Sequence, residues 1–263
     1  MSATLHHRGR WREVLLLVLS LAVLAVVASQ PPLAQDPSYH DFADQRTLFG
    51  VPHFWNVVSN VPFGIIGILG CWWLIRRGRN SIAFEDPGER TAYFVFFIGG
   101  LLTCFGSAYY HATPTNATLL WDRLGLSLML TSIFAIVVTE FVNQRFGRRM
   151  LVPMVAIGLI SVLYWAYTES RGHGDLRPYA VVQFYPMLAM PIIFLLFRSR
   201  YTYAGAYWAL LVLYGLAKVA ELYDERIFEW TGFWSGHTFK HLIAAIASFV
   251  PLYWLQRRTL RRP

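Results

Sequence analysis

Long apolar stretches separated by short polar segments dominate this sequence. Eight such stretches stand out, and most are near or above the roughly 18 residues that an α-helix needs to cross a bilayer. The apolar residues run continuously instead of alternating, which favours membrane-spanning helices over a β-barrel. The stretches lie near residues 14–29, 54–75, 91–111, 119–142, 150–168, 179–197, 203–222 and 237–256.

The first apolar stretch differs from the other seven. It is short, follows the basic segment HHRGRWR and precedes SQPPLAQD. This pattern is typical both of a cleaved signal peptide and of an uncleaved signal anchor, and the choice stays open. We therefore expect an all-α membrane protein with a seven-transmembrane-helix core plus one N-terminal hydrophobic segment.

Basic residues concentrate in every second loop. The segments RRGRN, QRFGRR, RSR and QRRTLRRP are basic. Of the intervening loops, 30–52 and 223–236 hold acidic residues, and 112–118 has no charge. Basic loops stay on the cytoplasmic side, so both chain ends are expected there. The expected organisation is an N-terminal signal anchor or signal peptide (1–30), an extracytoplasmic acidic segment (31–52), the seven-helix core (53–257) and a basic cytoplasmic tail (258–263).

Composition supports this class. Of the 263 residues, 56% are hydrophobic and only 14% are charged, against about 25% charged in a soluble domain. The net charge of +8 is spread over separate loops, which argues against a nucleic-acid partner. Two cysteines within apolar runs predict no disulfide. The short loops favour a bacterial inner membrane, with an equivalent eukaryotic membrane as the alternative.

Five polar side chains fall at a similar depth on the extracytoplasmic side of this predicted topology. They lie at the ends of three apolar stretches that are far apart in sequence. Polar residues within membrane segments are costly and are functional candidates by default. The five are Ser107, His111, Asp122, His237 and His241.

The three histidines predict a metal site. His237 and His241 are four residues apart, so a helix places them on one face with Cβ atoms roughly 5–6 Å apart. With His111 as a third ligand, an open fourth position is typical of a catalytic zinc. Asp122 is the candidate base, and Ser107 could orient the water or donate to an oxyanion. The alternatives are a helix-capping aspartate and a serine bonded to its own helix.

The pattern Ser107-x3-His111-x10-Asp122, followed by His237-x3-His241, resembles the alkaline ceramidases. The segment FWNVVSN, residues 54–60, also resembles the start of their first core helix. The order matches from about residue 36 to 256. The resemblance implies a seven-helix membrane hydrolase in a superfamily that also includes the adiponectin receptors. Its substrate would be a ceramide-like lipid from the bilayer, cleaved to a sphingoid base and a fatty acid.

The same resemblance implies residue roles. His111, His237 and His241 would bind zinc, and Asp122 and Ser107 would contact the attacking water. A calcium ion would be held by an acidic segment before the first core helix, where Asp36, Asp41 and Asp44 offer oxygen ligands. His53 departs from the family, which has an acidic residue there. An acidic segment without an ion is the alternative.

Other interpretations of the pattern remain. Lys218 and Glu221 are three residues apart and are expected to form an intrahelical pair. The expected pocket is apolar along its length and polar at the metal end. The alternatives are a related hydrolase of another acylated lipid, a non-enzymatic zinc-binding seven-helix receptor, and a transporter. The apolar inner halves of the helices, such as LMLTSIFAIVV, argue against the transporter.

Overall fold

The computed structural model describes residues 10–78 and 82–261. Parts of the predicted N-terminal segment (1–9), of the first basic loop (79–81) and of the basic tail (262–263) lie outside the described residues. The described chain contains α-helices and no named strand. The helices are α1 (Arg10–Ser29), α2 (Phe54–Val58), α3 (Val61–Arg76), α4 (Arg90–Ala112), α5 (Asn116–Val137), α6 (Gln144–Ser170), α7 (Arg177–Leu196), α8 (Ala206–Leu222), α9 (Asp224–Thr231) and α10 (Gly236–Leu255).

Short irregular helices join or extend several of these elements. Two 3-10 helices, Pro37–His40 and Pro87–Glu89, precede α2 and α4, and a π-helical turn over Val138–Val142 extends α5. Seven segments of the described chain are long and apolar enough to cross a membrane: α1, α2 with α3, α4, α5, α6, α7 and α10. The 17-residue α8 passes the same test only together with α9, from which it is bent by 79°.

The predicted fold class is confirmed by this helix inventory. When α8 with α9 is counted as one bent segment, seven helical segments besides α1 form the bundle, and α1 is the additional N-terminal hydrophobic helix. Most of α5 is buried, whereas none of the apolar window of α1 is. Helix α5 packs between α4 and α6, α3 packs on α4, α10 packs on α8, and α1 lies against α7. The near-continuous apolar character of α5 reflects its burial on all sides.

Two glycines allow helices to approach closely at one end of the bundle. A Cβ added at Gly106 would lie 2.3 Å from the backbone oxygen of Trp121, so only glycine lets α4 pass this close to α5. A Cβ at Gly236 would lie 2.1 Å from the backbone oxygen of Ala220. The first contact brings Ser107 next to the α5 turn that carries Asp122. The second brings the start of α10 against the end of α8.

Side-chain caps define where the helices of this end begin. Thr115 and Thr118 form a reciprocal capping box at the start of α5. The Ser235 hydroxyl accepts a hydrogen bond of 3.2 Å from the backbone N–H of Thr238 and caps α10. Asp224, just after the α8–α9 bend, accepts a backbone hydrogen bond from His237 at 2.6 Å. These caps hold the two helix starts that carry the candidate site residues.

A buried ionic network closes the opposite end of the bundle. Arg258 follows α10, is fully buried and pairs with Glu140 in the π-helical turn. Its Nε also donates to the backbone oxygen of Ala83 at 2.7 Å, and its guanidinium stacks 3.9 Å from the Tyr201 ring. Glu140 accepts two further bonds, from Tyr93 at 2.7 Å and Tyr207 at 2.9 Å. The first residue of the predicted basic tail therefore packs inside the core.

We expect Arg258→Ala to destabilise the protein by about 3–5 kcal/mol, because Glu140 would be left as a buried charge without its cation. The measurement is the thermal unfolding midpoint of the detergent-purified protein. Arg257→Ala is the matched control, since Arg257 is exposed and its removal should cost less than about 0.5 kcal/mol. Equal midpoints for the two variants would contradict the role given to Arg258.

Candidate metal centre and cavity

Three histidine side chains meet where α4 ends and α10 begins. His111 lies in the last turn of α4, and His237 and His241 lie in the first two turns of α10. One nitrogen from each lies within 4.8 Å of the others, and all three residues are buried. Across residues 10–78 and 82–261, this is the only group of three or more His, Cys, Asp or Glu residues with such geometry.

The donor set of this triad fits a divalent metal such as zinc. The Nε2 atoms of His111 and His241 lie 3.2 Å apart. Tetrahedral ligands at about 2.0–2.1 Å from zinc are separated by roughly 3.3 Å. One of the two nitrogens can donate a hydrogen bond to the other, and when both are deprotonated a cation between them removes the repulsion of their lone pairs. His111 Nδ1 is buried without a hydrogen-bond partner among the described residues.

The junction of α2 and α3 orients His241. Ser59 Oγ donates to the backbone oxygen of Asn56 at 3.1 Å and lies 2.8 Å from His241 Nδ1. Because the hydroxyl proton is used on the carbonyl, Ser59 Oγ accepts the proton of His241 Nδ1–H. This leaves the lone pair of His241 Nε2 directed at His111. Partners of this kind set the tautomer and the angle of a metal-binding imidazole.

We expect Ser59→Ala to lower metal affinity about 10- to 100-fold, because it removes the hydrogen bond that sets the His241 tautomer. The measurement is competition between the purified protein and a chelator of graded concentration. Ser170→Ala is the control, since Ser170 is exposed and bonds only to its own helix. If the two variants hold the metal equally well, Ser59 does not orient His241.

A chain of one hydrogen bond and two ion pairs runs from His237 into the bundle. Lys240 Nζ lies 2.8 Å from His237 Nε2 and 2.9 Å from Glu221 Oε1. The second oxygen of Glu221 pairs with Lys218, as the three-residue spacing predicted. Glu221 therefore bridges two lysines, one on its own helix and one on α10. Lys240 joins this carboxylate to the histidine triad.

Asp122 and Ser107 face each other beside the triad. The Asp122 carboxylate accepts a hydrogen bond from the Ser107 side chain. Ser107 is buried on α4, one helical turn before His111. Asp122 lies in the second turn of α5 and does not cap that helix, because Thr115 does. The Asp122 carboxylate and the Ser107 hydroxyl therefore lie together, and neither residue caps its helix.

A cavity of about 150 Å³ extends from this end into the bundle. Its polar lining includes Ser107, Asp122, Arg123, Glu221, Lys240 and His241, and most of the remaining lining is apolar. Along α5 the lining runs from Asp122 to Ile133, about 16 Å at 1.5 Å per residue. This distance is close to one leaflet of a bilayer, roughly 15 Å of hydrocarbon. The cavity is therefore polar at the histidine end and suits an apolar chain beyond it.

The segment before α2 covers the triad. The buried Phe42 ring lies 4.6 Å from the His111 ring and 4.7 Å from the His237 ring. His40 fixes the segment by contacts of 2.9 Å to Tyr110 Oη and to Asn116 Oδ1. Phe42 thus covers one side of the candidate metal centre, and a site shielded from water has stronger electrostatic interactions.

Tyr39 extends this cover over the cavity. Tyr39 is 37% exposed as a residue, but its hydroxyl end is removed from water, which raises its pKa above the usual value, as do the nearby charges of Glu221 and Asp122. Tyr39 therefore stays protonated and can donate to Glu221 Oε1, 3.4 Å away.

The three aspartates suggested as calcium ligands do not form a cluster with one another in the described chain. Asp36 caps the Pro37–His40 turn, and Asp41 is exposed. Asp44 is paired with Arg46 at 2.8 Å. Burial opposes ionisation of Asp44, but the hydrogen bonds and charge of Arg46 outweigh it and lower the pKa of this carboxyl. Calcium binding stays a prediction from the resemblance alone.

Several site residues were not identified from the sequence. Ser59 and Asn60 lie within the quoted FWNVVSN segment but contact His241 from about 180 positions away. Lys240 lies between the two histidines and Phe42 lies in the segment before α2, and no sequence pattern marks either as a site residue. A polar S-N pair at the start of an apolar run was the one available signal for Ser59.

Comparison with known proteins agrees with the geometry. The family model described as Ceramidase matches residues 50–217, more than half of the chain. The matched region includes Ser59, Ser107, His111 and Asp122, whereas His237 and His241 follow it. A search of curated proteins finds no match. The length of the family match shows that this chain belongs to the ceramidase family.

Proposed function

We propose that the protein is an integral-membrane, zinc-dependent amidase that cleaves ceramide-like lipids to a sphingoid base and a fatty acid. One observation carries the proposal: the buried histidine triad lies beside Asp122 and Ser107 at the polar end of a long apolar cavity. Membership of the ceramidase family supports an amide substrate. Amide hydrolysis needs an activated water, a base and an acid for the leaving amine.

His111, His237 and His241 would hold the metal and leave one position open, as in catalytic zinc sites. When bound, zinc would polarise the amide carbonyl and lower the pKa of water to about 7. Ser59 keeps His241 in the tautomer that can ligate, and Phe42 shields the site from bulk solvent.

Asp122 is the proposed base and acid. Its carboxylate would remove a proton from the attacking water and later deliver it to the nitrogen of the leaving amine. An amine leaves poorly without this proton. Ser107, which hydrogen-bonds Asp122, would hold the carboxylate in position and donate to the oxyanion that forms on the carbonyl oxygen.

The cavity supports a lipid as the substrate. Helices α5, α7, α8 and α10 all line it, so an acyl chain can lie parallel to the helices while the amide reaches the triad. The basic loops favour an arrangement with the triad near the extracytoplasmic face, and a bacterial inner membrane is the proposed location.

The direct test is metal content and ceramide hydrolysis of one detergent-purified sample, before and after chelation. We expect about one zinc per chain and fatty-acid release that stops on chelation and returns with zinc. Zinc without turnover on any acylated lipid would favour a receptor with a structural metal. No bound metal would contradict the site.

A further inference from the structure

Arg123 is a buried cation at the polar end of the cavity. It is 6% exposed and follows Asp122 on α5. In the described part of the chain no carboxylate forms an ion pair with it, and its Nη1 has no hydrogen-bond partner. The charge of the neighbouring Asp122 acts on Arg123 without forming an ion pair. A buried guanidinium without an ion-paired carboxylate is costly unless it is used in binding. Of the buried arginines in the described residues, Arg123 is the one that lines the cavity.

The rest of the side chain is held firmly. Its Nη2 donates to Gln35 Oε1. Its guanidinium stacks on the Trp165 ring at 4.0 Å and on the Tyr179 ring at 4.8 Å. Gln35 is in turn held by Glu169, which accepts its backbone N–H at 3.2 Å. The orientation of Arg123 is therefore set before any ligand arrives, which lowers the entropy cost of binding.

The charges around the cavity favour an anion. Lys218 and Lys240 share the single carboxylate of Glu221. Asp122 is the other acid in the lining. Three cations therefore face two carboxylates, before the charge of any metal is counted. An oxyanion placed at Arg123 would balance this excess.

We propose that Arg123 binds an oxyanion on the polar end of the substrate, so that the preferred substrate is an N-acylated lipid with a negatively charged headgroup. Guanidinium nitrogens pair well with phosphate, carboxylate and sulfonate oxygens. This inference rests on the proposed amidase function and narrows its substrate class. Arg123 is a specificity-determining residue in this account, and Asp122 remains the acid and base.

The fatty acid product offers the same chemistry, since its carboxylate is also an oxyanion. A headgroup and a product carboxylate at Arg123 predict different kinetic results. A headgroup site gives preference for an anionic substrate. A product site gives inhibition by free fatty acid that depends on Arg123 and no headgroup preference.

The test compares hydrolysis of ceramide 1-phosphate and of ceramide with the same acyl chain by the zinc-loaded, detergent-purified protein. The wild type is expected to show a kcat/KM about 10- to 100-fold higher on ceramide 1-phosphate, the range for a hydrogen bond to a charged group. Arg123→Gln should lose this preference, because its KM should rise much more for ceramide 1-phosphate than for ceramide. Arg226→Gln, at an exposed arginine of α9, should change neither.

The wild-type comparison needs no variant, so it holds even if Arg123→Gln fails to fold. Equal or lower activity on the phosphorylated lipid would overturn the proposal. So would an equal loss on both lipids in Arg123→Gln, which would make the residue structural. Relief of fatty-acid inhibition without headgroup preference would assign Arg123 to the product instead.

A failure of the proposed amidase function can be distinguished from a failure of the Arg123 proposal. Binding of ceramide 1-phosphate and ceramide is measured in parallel by native mass spectrometry. Arg123-dependent binding without cleavage of either lipid would contradict the amidase and the substrate claim that rests on it, while showing an anion site. Cleavage of ceramide without any headgroup preference would contradict the Arg123 proposal alone.

Discussion

Replacing His241 by alanine is expected to remove the bound metal and the amide hydrolysis together. Two histidines would remain, and one of them, His237, also contacts Lys240. Loss of one of three zinc ligands leaves too few donors for a stable catalytic site. We expect a loss of turnover of at least about 1,000-fold, on the scale of essential catalytic groups. Metal content and fatty-acid release are measured on the same sample.

His173→Ala is the matched control for this experiment. His173 lies in the loop between α6 and α7 and is exposed, so its removal should change neither metal content nor turnover. The thermal unfolding midpoint is measured on both variants to show that they are folded. Turnover that persists in a folded His241→Ala protein without metal would contradict the metal-dependent mechanism. Full metal occupancy in that protein would contradict the ligand assignment.

Asp122→Asn is expected to separate metal binding from chemistry. The amide side chain keeps the size and can still accept a hydrogen bond from Ser107, but it cannot take up the proton of the attacking water. General acid–base catalysis contributes about 100- to 10,000-fold to a rate, so kcat should fall by that amount. The zinc content should stay unchanged, because Asp122 is outside the histidine triad.

The control for Asp122 is a carboxylate at the same end of the bundle. Glu229 lies on α9 and is exposed, so Glu229→Gln should retain the wild-type kcat. The kcat and the metal content are determined for both variants. If Asp122→Asn keeps a wild-type kcat, then Asp122 is not the base. If it loses the metal together with activity, its role is in holding the site.

The packing of α1 against α7 is relevant to whether the first apolar stretch is a signal anchor or a cleaved signal peptide. Ser20 on α1 hydrogen-bonds Tyr185 on α7, and Arg177 donates to the backbone oxygens of Ala28 and Gln30. The segment after α1 also bonds to the core, through Leu33 to Leu176 at 2.8 Å. These contacts give an uncleaved α1 a defined packing position beside α7, one of the helices that line the cavity.

Several features of the site depend on contacts between distant parts of the chain. The pairing of Lys218 with Glu221 was predictable because both lie on one helix turn. The pairing of Lys240 with Glu221 depends on how α10 packs against α8. Arg258 is buried because it pairs with Glu140, 118 residues away. The sequence does not show this partner, so the basic C-terminal segment was predicted to be a cytoplasmic tail. Asp44 was a candidate calcium ligand, but it faces Arg46.

The sequence alone predicted the helical membrane class, because the length and apolarity of a spanning segment are properties of that segment. It also singled out three histidines, an aspartate and a serine, since polar groups are rare in such segments. The tertiary structure was needed to show that the histidines meet, that Ser59 contacts His241 and that Arg123 lines the cavity without an ion pair among the described residues. These outcomes depend on close helix approaches, such as the one at Gly106, which set distances between residues far apart in sequence.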